Sequence, residues 1–442
     1  MAVLPQPPGP SGLARLLLRV ASVERHEIGA LLWSFAYFFA VLCSYYILRP
    51  LRDEMSVTVG TQGLQWLFVI VFLVMLAAVP VFGWVVSSFE RRRIVPIVYL
   101  FCISNLALFW LLFAQSRAGA VLAGAFFVWV SVFNLFAISL FWSVMSDAWH
   151  TEQAKRLYGF IAAGGSAGAI SGPLVTHSLV HVLGPTNLLL VAASLLAVAI
   201  GCVRQLQRLR VDERVEPSRR SYSAGELLAG ACRVFASPYL RKIAFLVLLA
   251  NLIGTYFYFE QTRIVGMTVA DRADRVQFFA RLDLTVNTLT VLIQLGLTGL
   301  IMRRAGIGAS IAALPVSATL GLLALVAAPT LAVIGTVMVI ERAVTFAIAN
   351  PAVRVLYTVV APEDKYKAQN FVDTVVFRGG DAASGWILNV LTRGLGAPAW
   401  VVAMLALPLA AMWLWLSLRL GREQAARAEA AGEIKPADVR GE

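Results

Sequence analysis

The chain has 442 residues, of which 59% are hydrophobic and 14% charged, and its mean hydropathy is +0.76. Because a soluble protein carries about 25% charged residues, this composition excludes an ordinary soluble enzyme and predicts a chain embedded in a bilayer. The net charge of +12 comes from short Lys and Arg clusters between apolar runs, which are typical of membrane topology signals and not of a nucleic-acid partner.

Twelve spans are predicted, since a helix that crosses a bilayer needs about 20 mainly apolar residues. Residues 1–27 form a cytoplasmic N-terminal segment, and a first six-helix bundle covers 28–204. Its spans are expected at 28–52, 62–87, 94–115, 119–148, 157–182 and 186–204. A cytoplasmic linker at 205–240 follows, with a charged run and an amphipathic helix from Ser223 to Phe235.

A second six-helix bundle is predicted at 241–420, followed by a cytoplasmic tail at 421–442. Its spans are expected at 241–262, 277–302, 307–328, 331–360, 367–392 and 397–419. The halves echo each other, because GGSAGAISG at 164–172 is matched by GGDAASG at 379–385. Such glycine runs are interpreted as close helix packing. The fold class is therefore an all-α polytopic membrane protein whose two bundles resemble the major facilitator architecture.

Basic residues fix the predicted orientation. They follow every even-numbered span, as in Arg91–Arg93, Lys155–Arg156, Arg303–Arg304 and Lys365–Lys367. Because cytoplasmic loops are enriched in Lys and Arg, both termini are predicted to be cytoplasmic. We expect a multi-pass protein of the bacterial inner membrane that acts as a monomer.

Charged residues inside the spans are the most informative feature, because each costs several kcal/mol unless it faces a partner or a wet cavity. Span 1 ends in SYYILRPLRDEM, in which Tyr45, Arg49 and Arg52 share one helical face. The two arginines could snorkel at the outer mouth. An anion-binding wall fits the tyrosine-lined stripe better, since guanidinium groups pair well with phosphate and carboxylate.

The predicted site extends this wall to both halves. Substrate-binding roles are expected of Tyr45, Tyr46, Arg49, Arg52, Asn134, Trp142, Tyr256, Arg354 and Arg378. Proton coupling, or charge pairing with those arginines, is expected of Asp53, Glu260, Asp283, Glu341, Asp373 and Asp381. A cytoplasmic gate is expected from Glu90, Arg91, Asp147 and Lys155. For any single residue, an ion pair that only locks two helices remains the alternative.

Motifs of enzymes and pumps are missing from the sequence. There is no GxxxxGK[ST] phosphate loop, so this chain is not an ATP-driven pump, and HExxH, GxSxG and CxxC patterns are absent too. The spacing of His177 and His181 lacks the further ligands of a metal site. We therefore expect no enzyme activity, no cofactor and no metal.

Three segments resemble the nucleotide transporter family of bacterial and plastid ATP/ADP translocases. YYILRPLRDEM at 45–55 resembles that family's first-helix motif, and residues 140–165 resemble its segment across helices 4 and 5. Residues 367–385 are similar to its helix 11 segment, with matches at Lys367, Asp373, Arg378 and Gly379. The resemblance implies shared ancestry and a shared fold.

Three departures separate this chain from those translocases, one of which is that Glu260 lies near, but not at, the position of the Glu in their helix 7. Val130 falls where they place a functional Glu in helix 4, and Asp381 falls where they place a functional Lys. We therefore expect a divergent relative with a substrate of its own.

The predicted function is secondary transport by alternating access, in which two bundles rock about a site near the midplane. The expected substrate is an anionic organic solute, a nucleotide or another phosphorylated or carboxylated metabolite, moved by exchange or proton coupling. A proton-driven exporter of lipophilic or cationic compounds is one alternative. A membrane scaffold that transports nothing is another.

Overall fold

The computed structural model describes residues 24, 26–88, 91–115, 119–209, 224–430 and 432, and these residues form helices joined by short connections. The first half has α1 Ile28–Val59, α2 Thr61–Ser88, α3 Arg91–Ala114, α4 Ala120–Ala148, α5 Thr151–Leu183 and α6 Leu188–Leu209. A shorter helix follows, α7 Ala224–Ala236.

In the second half, several helices are shorter and are joined by π-helical turns. Its helices are α8 Pro238–Thr268, α9 Arg272–Gly296, α10 Thr298–Ala327, α11 Leu331–Val344, α12 Asn350–Leu356, α13 Pro362–Phe371, α14 Phe377–Asn389 and α15 Ala399–Ala430. A π turn at Thr345–Ala349 joins α11 to α12, a second at Val372–Val376 joins α13 to α14, and a third at Val390–Gly394 follows α14.

Ten helical stretches of the described chain are long and apolar enough to cross a membrane. Helix α5 and the stretch 362–394 are as long as these but are not among the ten. Both carry glycine, serine and charged residues at many positions, which lowers their hydropathy. The two long helical stretches outside the ten thus occupy corresponding places in the two halves.

Each half has its own apolar core. One core cluster draws on residues 30–206 with Val276 added, and another draws on residues 234–420. Two bundles therefore pack around separate centres. A smaller apolar cluster of α2 and α4 residues packs against Tyr258 and Phe259 of α8, so the surface between the halves is partly apolar.

Glycines set the distance between α5 and α1. A Cβ on Gly164 would lie 2.5 Å from the carbonyl oxygen of Phe35, and a Cβ on Gly168 would lie 2.5 Å from that of Phe39. In α14, a Cβ on Gly380 would meet the Asn251 side chain of α8 at 2.7 Å. In α5 the neighbours are backbone atoms, so only glycine permits the approach, whereas at Gly380 the Asn251 side chain would have to move. The interpretation of both glycine runs as close packing is confirmed.

The halves meet along several helix pairs of the described chain. Helix α5 packs on α9, α14 packs on α2, and the end of α1 packs on α8 and α9. In the first contact, the Asn287 side chain of α9 donates a hydrogen bond of 2.7 Å to the carbonyl of Ala169 in α5.

The boundary predicted between the spans 277–302 and 307–328 coincides with a break in the structure. The break lies inside α10 at Gly306, just after Arg303 and Arg304, and the φ of +81° at this position suits glycine alone. A further break at Leu297 separates α9, which ends at Gly296, from α10, which begins at Thr298. The apolar sequence runs through Leu297, so hydropathy could not reveal that break.

The linker helix α7 lies near the predicted position and contacts the second half. Arg233 Nε lies 3.1 Å from Asp364 Oδ1 at the start of α13, and the two helices touch at Gly230 and Lys367. The charged run of the predicted linker falls mostly outside the described residues, as does most of the predicted N-terminal segment 1–27.

The predicted tail boundary at 421 lies inside α15, which continues to Ala430. Glu423 accepts hydrogen bonds from Lys242 of α8 at 2.5 Å and from Arg419 of its own helix at 3.2 Å. The Arg427 guanidinium lies 4.3 Å from the ring centre of Tyr239. These contacts stabilise the polar end of the helix, which hydropathy alone places in a tail.

Candidate functional site

The second half of α1 presents buried charges toward the other bundle. Arg49 is 8% exposed and Asp53 is 1% exposed, and Arg52 lies beside them. Spacings of three and four residues place these side chains on one side of the helix. Because α1 packs against α8 and α9, that side faces the second half of the protein.

Asp283 of α9 lies between two arginines that come from opposite halves. Its Oδ2 lies 3.5 Å from Nε of Arg49 in α1, and its Oδ1 accepts a hydrogen bond of 3.3 Å from Nη1 of Arg342 in α11. The side chain of Asp283 is 1% exposed. A buried carboxylate therefore joins two guanidinium groups that belong to different bundles.

Arg52 and Asp53 form a tighter pair next to this bridge. Nη2 and Nε of Arg52 donate to Oδ1 of Asp53 at 2.7 and 3.1 Å. Tyr258 of α8 adds a hydrogen bond of 3.3 Å from its hydroxyl to the same oxygen. This second pair thus also contacts both halves.

Aromatic rings cover the two α1 arginines. The Arg49 guanidinium lies 5.6 Å from the ring centre of Tyr46, and that of Arg52 lies 5.3 Å from the ring centre of Phe127. Each ring face attracts the cation and limits its access to water.

Several polar atoms of this cluster have no hydrogen-bond partner among the described residues. They are Arg49 Nε, Asp53 Oδ2, Gln261 Nε2 and Asp283 Oδ2. Arg49 and Asp283 lie within ion-pair distance, but their contact lacks hydrogen-bond geometry. Because buried polar groups are normally paired, these atoms are suited to bind a polar solute or water.

A cavity of about 280 Å³ lies next to the cluster, between α1, α5, α9 and the π turn at Thr345–Ala349. Tyr46 lines it from α1, Ser166 from α5, and Asn287 and Gln294 from α9. Since the Tyr46 ring also contacts the Arg49 guanidinium, the cavity and the charge cluster share a wall. The site therefore combines buried cations, free polar atoms and space at the surface between the two halves.

A comparison of the sequence with protein-family profiles identifies the family of this chain. The profile of the Major Facilitator Superfamily matches residues 28–385, which is most of the chain. The chain belongs to the Major Facilitator Superfamily. Its fold is thus one that transporters use, and the candidate site lies on the surface between the two bundles of that fold.

Solved structures of other transporters share the fold of this superfamily member. A bacterial homologue of the iron transporter ferroportin in an inward-facing state has a TM-score of 0.64 and 11% identity, over 90% of this chain and 98% of that one. A point mutant of the nucleoside transporter NupG has a TM-score of 0.63 and 15% identity, over 90% and 99%.

A third structure is a bacterial homologue of the human lysosomal transporter Spinster, inward-facing and unoccupied. Its TM-score is 0.57 at 14% identity, over 91% of this chain and 99% of that one. Identities this low establish the fold alone. No curated protein matches the sequence.

The aromatic residues predicted to bind substrate in the first half of this superfamily member have different neighbours. Tyr45 is buried and lies edge-on to Tyr46, with ring centres 5.1 Å apart. Trp142 packs in an aromatic cluster with Phe38 and Tyr158, and its ring centre lies 5.7 and 5.3 Å from theirs. Tyr45 thus borders the charge cluster, whereas Trp142 packs among other aromatic rings of the first bundle.

Two further predicted binding residues lie apart from the described contacts of the cluster. Tyr256 is buried, and its hydroxyl donates to the carbonyl of Ala399 at 3.4 Å. Asn134 has no described partner for its Oδ1. Neither residue has a described hydrogen bond to the arginines.

Arg354 and Arg378 do not supply the second-half cations of the cluster. Arg354 is half-exposed and pairs with Asp373 at 2.6 Å. Arg378 lies 3.6 Å from Asp381 of the same helix. Arg342 is the second-half arginine that contacts Asp283, because α11 packs against α9. Arg354 and Arg378 instead pair with Asp373 and Asp381.

The predicted carboxylates fall into two groups. Asp53 and Asp283 belong to the cluster, whereas Glu260 pairs with Arg263 of its own helix at 2.6 Å. Glu341 accepts a hydrogen bond of 3.3 Å from Thr345 at the start of the π turn. Asp53 and Asp283 are thus the carboxylates that contact arginines of the cluster within the described part of the chain.

The predicted gate is described only in part. Glu90 lies outside the described residues, and only the backbone of Arg91 is described. Asp147 lies in the last turn of α4. Lys155 is exposed and pairs at 2.9 Å with Glu152 of its own helix, so in this structure its ammonium group contacts α5 and not a partner across the halves.

Residues near that gate were missed from the sequence. Glu27 is buried and accepts hydrogen bonds from Gln153 at 2.9 Å and from Arg156 at 3.0 Å. Arg342 was missed from the binding set as well, although an arginine in the middle of an apolar span is itself a signal. Tyr258 and Gln261 offered no such signal, since uncharged polar residues are common in transport helices.

Proposed function

We propose that this protein is a secondary transporter of an anionic organic solute that works by alternating access. The observation that supports this most is the arginine cluster between the bundles. Arg49, Arg52 and Arg342 supply three positive charges, and Asp53 and Asp283 supply two negative ones, which leaves one positive charge (three minus two). A buried charge without a partner is costly, so an anionic solute would be stabilised here.

The geometry of the cluster favours phosphate or carboxylate as the bound group. Guanidinium groups offer planar forks that match these anions. Gln261 Nε2 adds a donor without a described partner beside them, and its Oε1 accepts from Arg342 at 3.5 Å. The neighbouring cavity, with Asn287 and Gln294, has polar groups for the rest of an organic solute.

The proposed membrane arrangement has twelve spans. Helix α5 and the stretch 362–394 would be the fifth and the eleventh, and their weak hydropathy follows from their position between the halves, where protein replaces lipid on much of their surface. We also propose bundles at 28–204 and 241–420, both termini in the cytoplasm, a bacterial inner-membrane location and a monomer.

Contacts at the end of α1 support a particular orientation. Glu54 pairs with Arg272 of α9 at 3.0 Å, and the Ser56 hydroxyl lies 3.3 Å from that of Thr262 in α8. In the proposed topology this end is outside, so the structure would be closed outward and would face inward. Two of the similar solved structures are described as inward-facing too.

A nucleotide-like solute is one member of the proposed class. The fold is shared with a protein described as a nucleoside transporter, and three sequence segments resemble the ATP/ADP translocases. Val130 and Asp381 depart from the translocase pattern. The proposed solute is therefore a phosphorylated or carboxylated metabolite, moved by exchange or with protons, and ATP/ADP exchange itself is not proposed.

Transport in proteoliposomes tests this proposal. The purified protein is reconstituted and offered labelled nucleoside phosphates, sugar phosphates, di- and tricarboxylates and, as the opposing class, lipophilic cations. We expect uptake of at least one anion and its loss in Arg49→Gln and Arg342→Gln. Arg419→Gln, which removes an exposed arginine at the end of α15, is the control and should transport normally. Transport of cations alone would contradict the proposal and favour a cation exporter.

A further inference from the structure

Asp283 differs from the other carboxylate of the cluster in how it is held. Asp53 has contacts of 2.7 and 3.1 Å with Arg52, which are normal for a charge-assisted pair. Asp283 has longer contacts, 3.5 Å to Arg49 and 3.3 Å to Arg342. The carboxylate of Asp283 therefore lies near both arginines without being tightly fixed to either.

Its position is the one that an anionic solute would need. Arg49 and Arg342 come from opposite halves, and both direct their guanidinium groups at the same buried carboxylate. A solute anion held by these arginines has to replace Asp283 as their partner. Asp283 thus occupies the position between the two arginines that a bound solute anion would take.

The net charge of the cluster in the solute-free protein depends on Asp283. With Asp283 ionised the cluster has a net charge of +1, because three arginines face two carboxylates. Without that carboxylate the net charge is +2. Two buried guanidinium groups without a shared anion repel each other and cannot be brought together in a dry site at low cost.

We propose that Asp283 is an internal counter-anion, which lowers the net charge of the cluster from +2 to +1 when no solute is bound and so allows the empty protein to change orientation. This rests on the proposed function, because it assumes that the arginines are the anion site. The consequence is net transport, since an empty carrier that can return does not need a second solute on the way back. Obligatory exchange would require the opposite, an empty site that cannot reorient.

The experiment uses no solute, so it is independent of which compound is transported. Spin labels are placed on cysteines at two exposed positions of opposite halves, Val182 at the end of α5 and Leu395 after α14. The background is Cys232→Ser, because Cys232 is exposed whereas Cys43, Cys102 and Cys202 are buried. Double electron–electron resonance then measures the distance distribution of the reconstituted protein.

In the wild-type background we expect two distances, one for each orientation. Asp283→Asn should reduce the smaller population by about tenfold or more, because the +2 site disfavours one orientation. The control is Glu423→Gln, which neutralises a carboxylate whose partners Lys242 and Arg419 lie in its own half, and it should keep both distances.

A double variant separates charge from shape. Asp283→Asn combined with Arg342→Gln returns the cluster to +1, and we expect it to regain both distances. If Asp283→Asn keeps the wild-type proportions, if the wild type shows a single distance, or if the double variant remains in one state, the proposal is wrong. Loss of uptake in the arginine variants, tested separately, concerns the proposed function and not this inference.

Discussion

Glu54 and Arg272 join the two halves of the protein. The carboxylate of Glu54, near the end of α1, lies 3.0 Å from Nε of Arg272 in the first turn of α9. The Glu54 side chain is 1% exposed and also accepts a hydrogen bond of 2.8 Å from Thr58. The Arg272 guanidinium lies 5.3 Å from the ring centre of Phe113 in α3. A buried carboxylate in one bundle thus holds an arginine of the other.

Breaking this pair should open the protein at that end. Glu54→Gln leaves Arg272 without its anion, and we expect the closed state to lose about 1–3 kcal/mol, since the arginine is partly exposed and recovers some hydration. The measurement is the rate at which a membrane-impermeant maleimide labels a cysteine placed at Ser56, which is buried against Thr262 in this structure. Labelling should become faster in Glu54→Gln.

Arg263→Gln is the matched control for that experiment. Arg263 lies near the same end, but it pairs with Glu260 of its own helix, so its removal breaks no contact between the halves. Equal labelling rates in Glu54→Gln and in the parent would show that the pair does not hold this end closed.

Arg342 should tolerate lysine poorly. Its guanidinium contacts both Asp283 and Gln261 with separate nitrogens, which one ammonium group cannot reproduce. We expect Arg342→Lys to lower the uptake of the transported anion by about tenfold, equal to about 1.4 kcal/mol. Arg419→Lys, at an exposed position on α15, should leave uptake unchanged. Wild-type uptake by Arg342→Lys would show that charge alone suffices at this position.

Gly168 should be essential for the packing of the first bundle. A Cβ there would lie 2.5 Å from the carbonyl oxygen of Phe39 and 2.9 Å from the amide nitrogen of Cys43, both backbone atoms that cannot move alone. We expect Gly168→Ala to cost about 1–3 kcal/mol and to lower the unfolding temperature in detergent. Gly159→Ala, with nothing within 4 Å of its Cβ, is the control and should raise the helix propensity without a clash.

The docking of α7 on α13 should depend on charge. Arg233 pairs with Asp364 at 3.1 Å on a half-exposed surface, and such pairs contribute about 0.2–1 kcal/mol. Arg233→Asp should therefore increase the hydrogen exchange of α7, and the double variant with Asp364→Arg should reverse the increase. An increase that persists in the double variant would mean that Gly230 packing, and not this pair, holds the helix.

Hydropathy and periodicity predict most of the helices but not their partners. The buried arginines of span 1 were visible from the sequence, because charged residues are rare in apolar runs. The partner of Arg49 was not, since Asp283 lies 234 positions later (283 minus 49) and the contact depends on how α1 packs against α9. For the same reason the sequence does not indicate that Arg342, and not Arg354 or Arg378, contacts Asp283.

Local sequence was a better guide to close packing than to binding. The glycine runs of α5 and α14 have a direct steric meaning, which the contacts with Phe35 and Asn251 bear out. Leu297 breaks the helix inside an apolar stretch and leaves no signal in the sequence, whereas the break at Gly306 follows Arg303 and Arg304 and lies at a predicted boundary. Backbone breaks of this kind depend on packing and leave little trace in hydropathy.

The described π turns all lie in the second half, at Thr345–Ala349, Val372–Val376 and Val390–Gly394. In the first half, glycines bring α5 against the backbone of α1. A π turn widens a helix and loosens its regular hydrogen bonding, so it is a natural place for bending. The two bundles then differ in stiffness. The first resembles a fixed frame, and the second has three points of bending, one of which, Thr345–Ala349, directly follows the helix that carries Arg342 and borders the cavity.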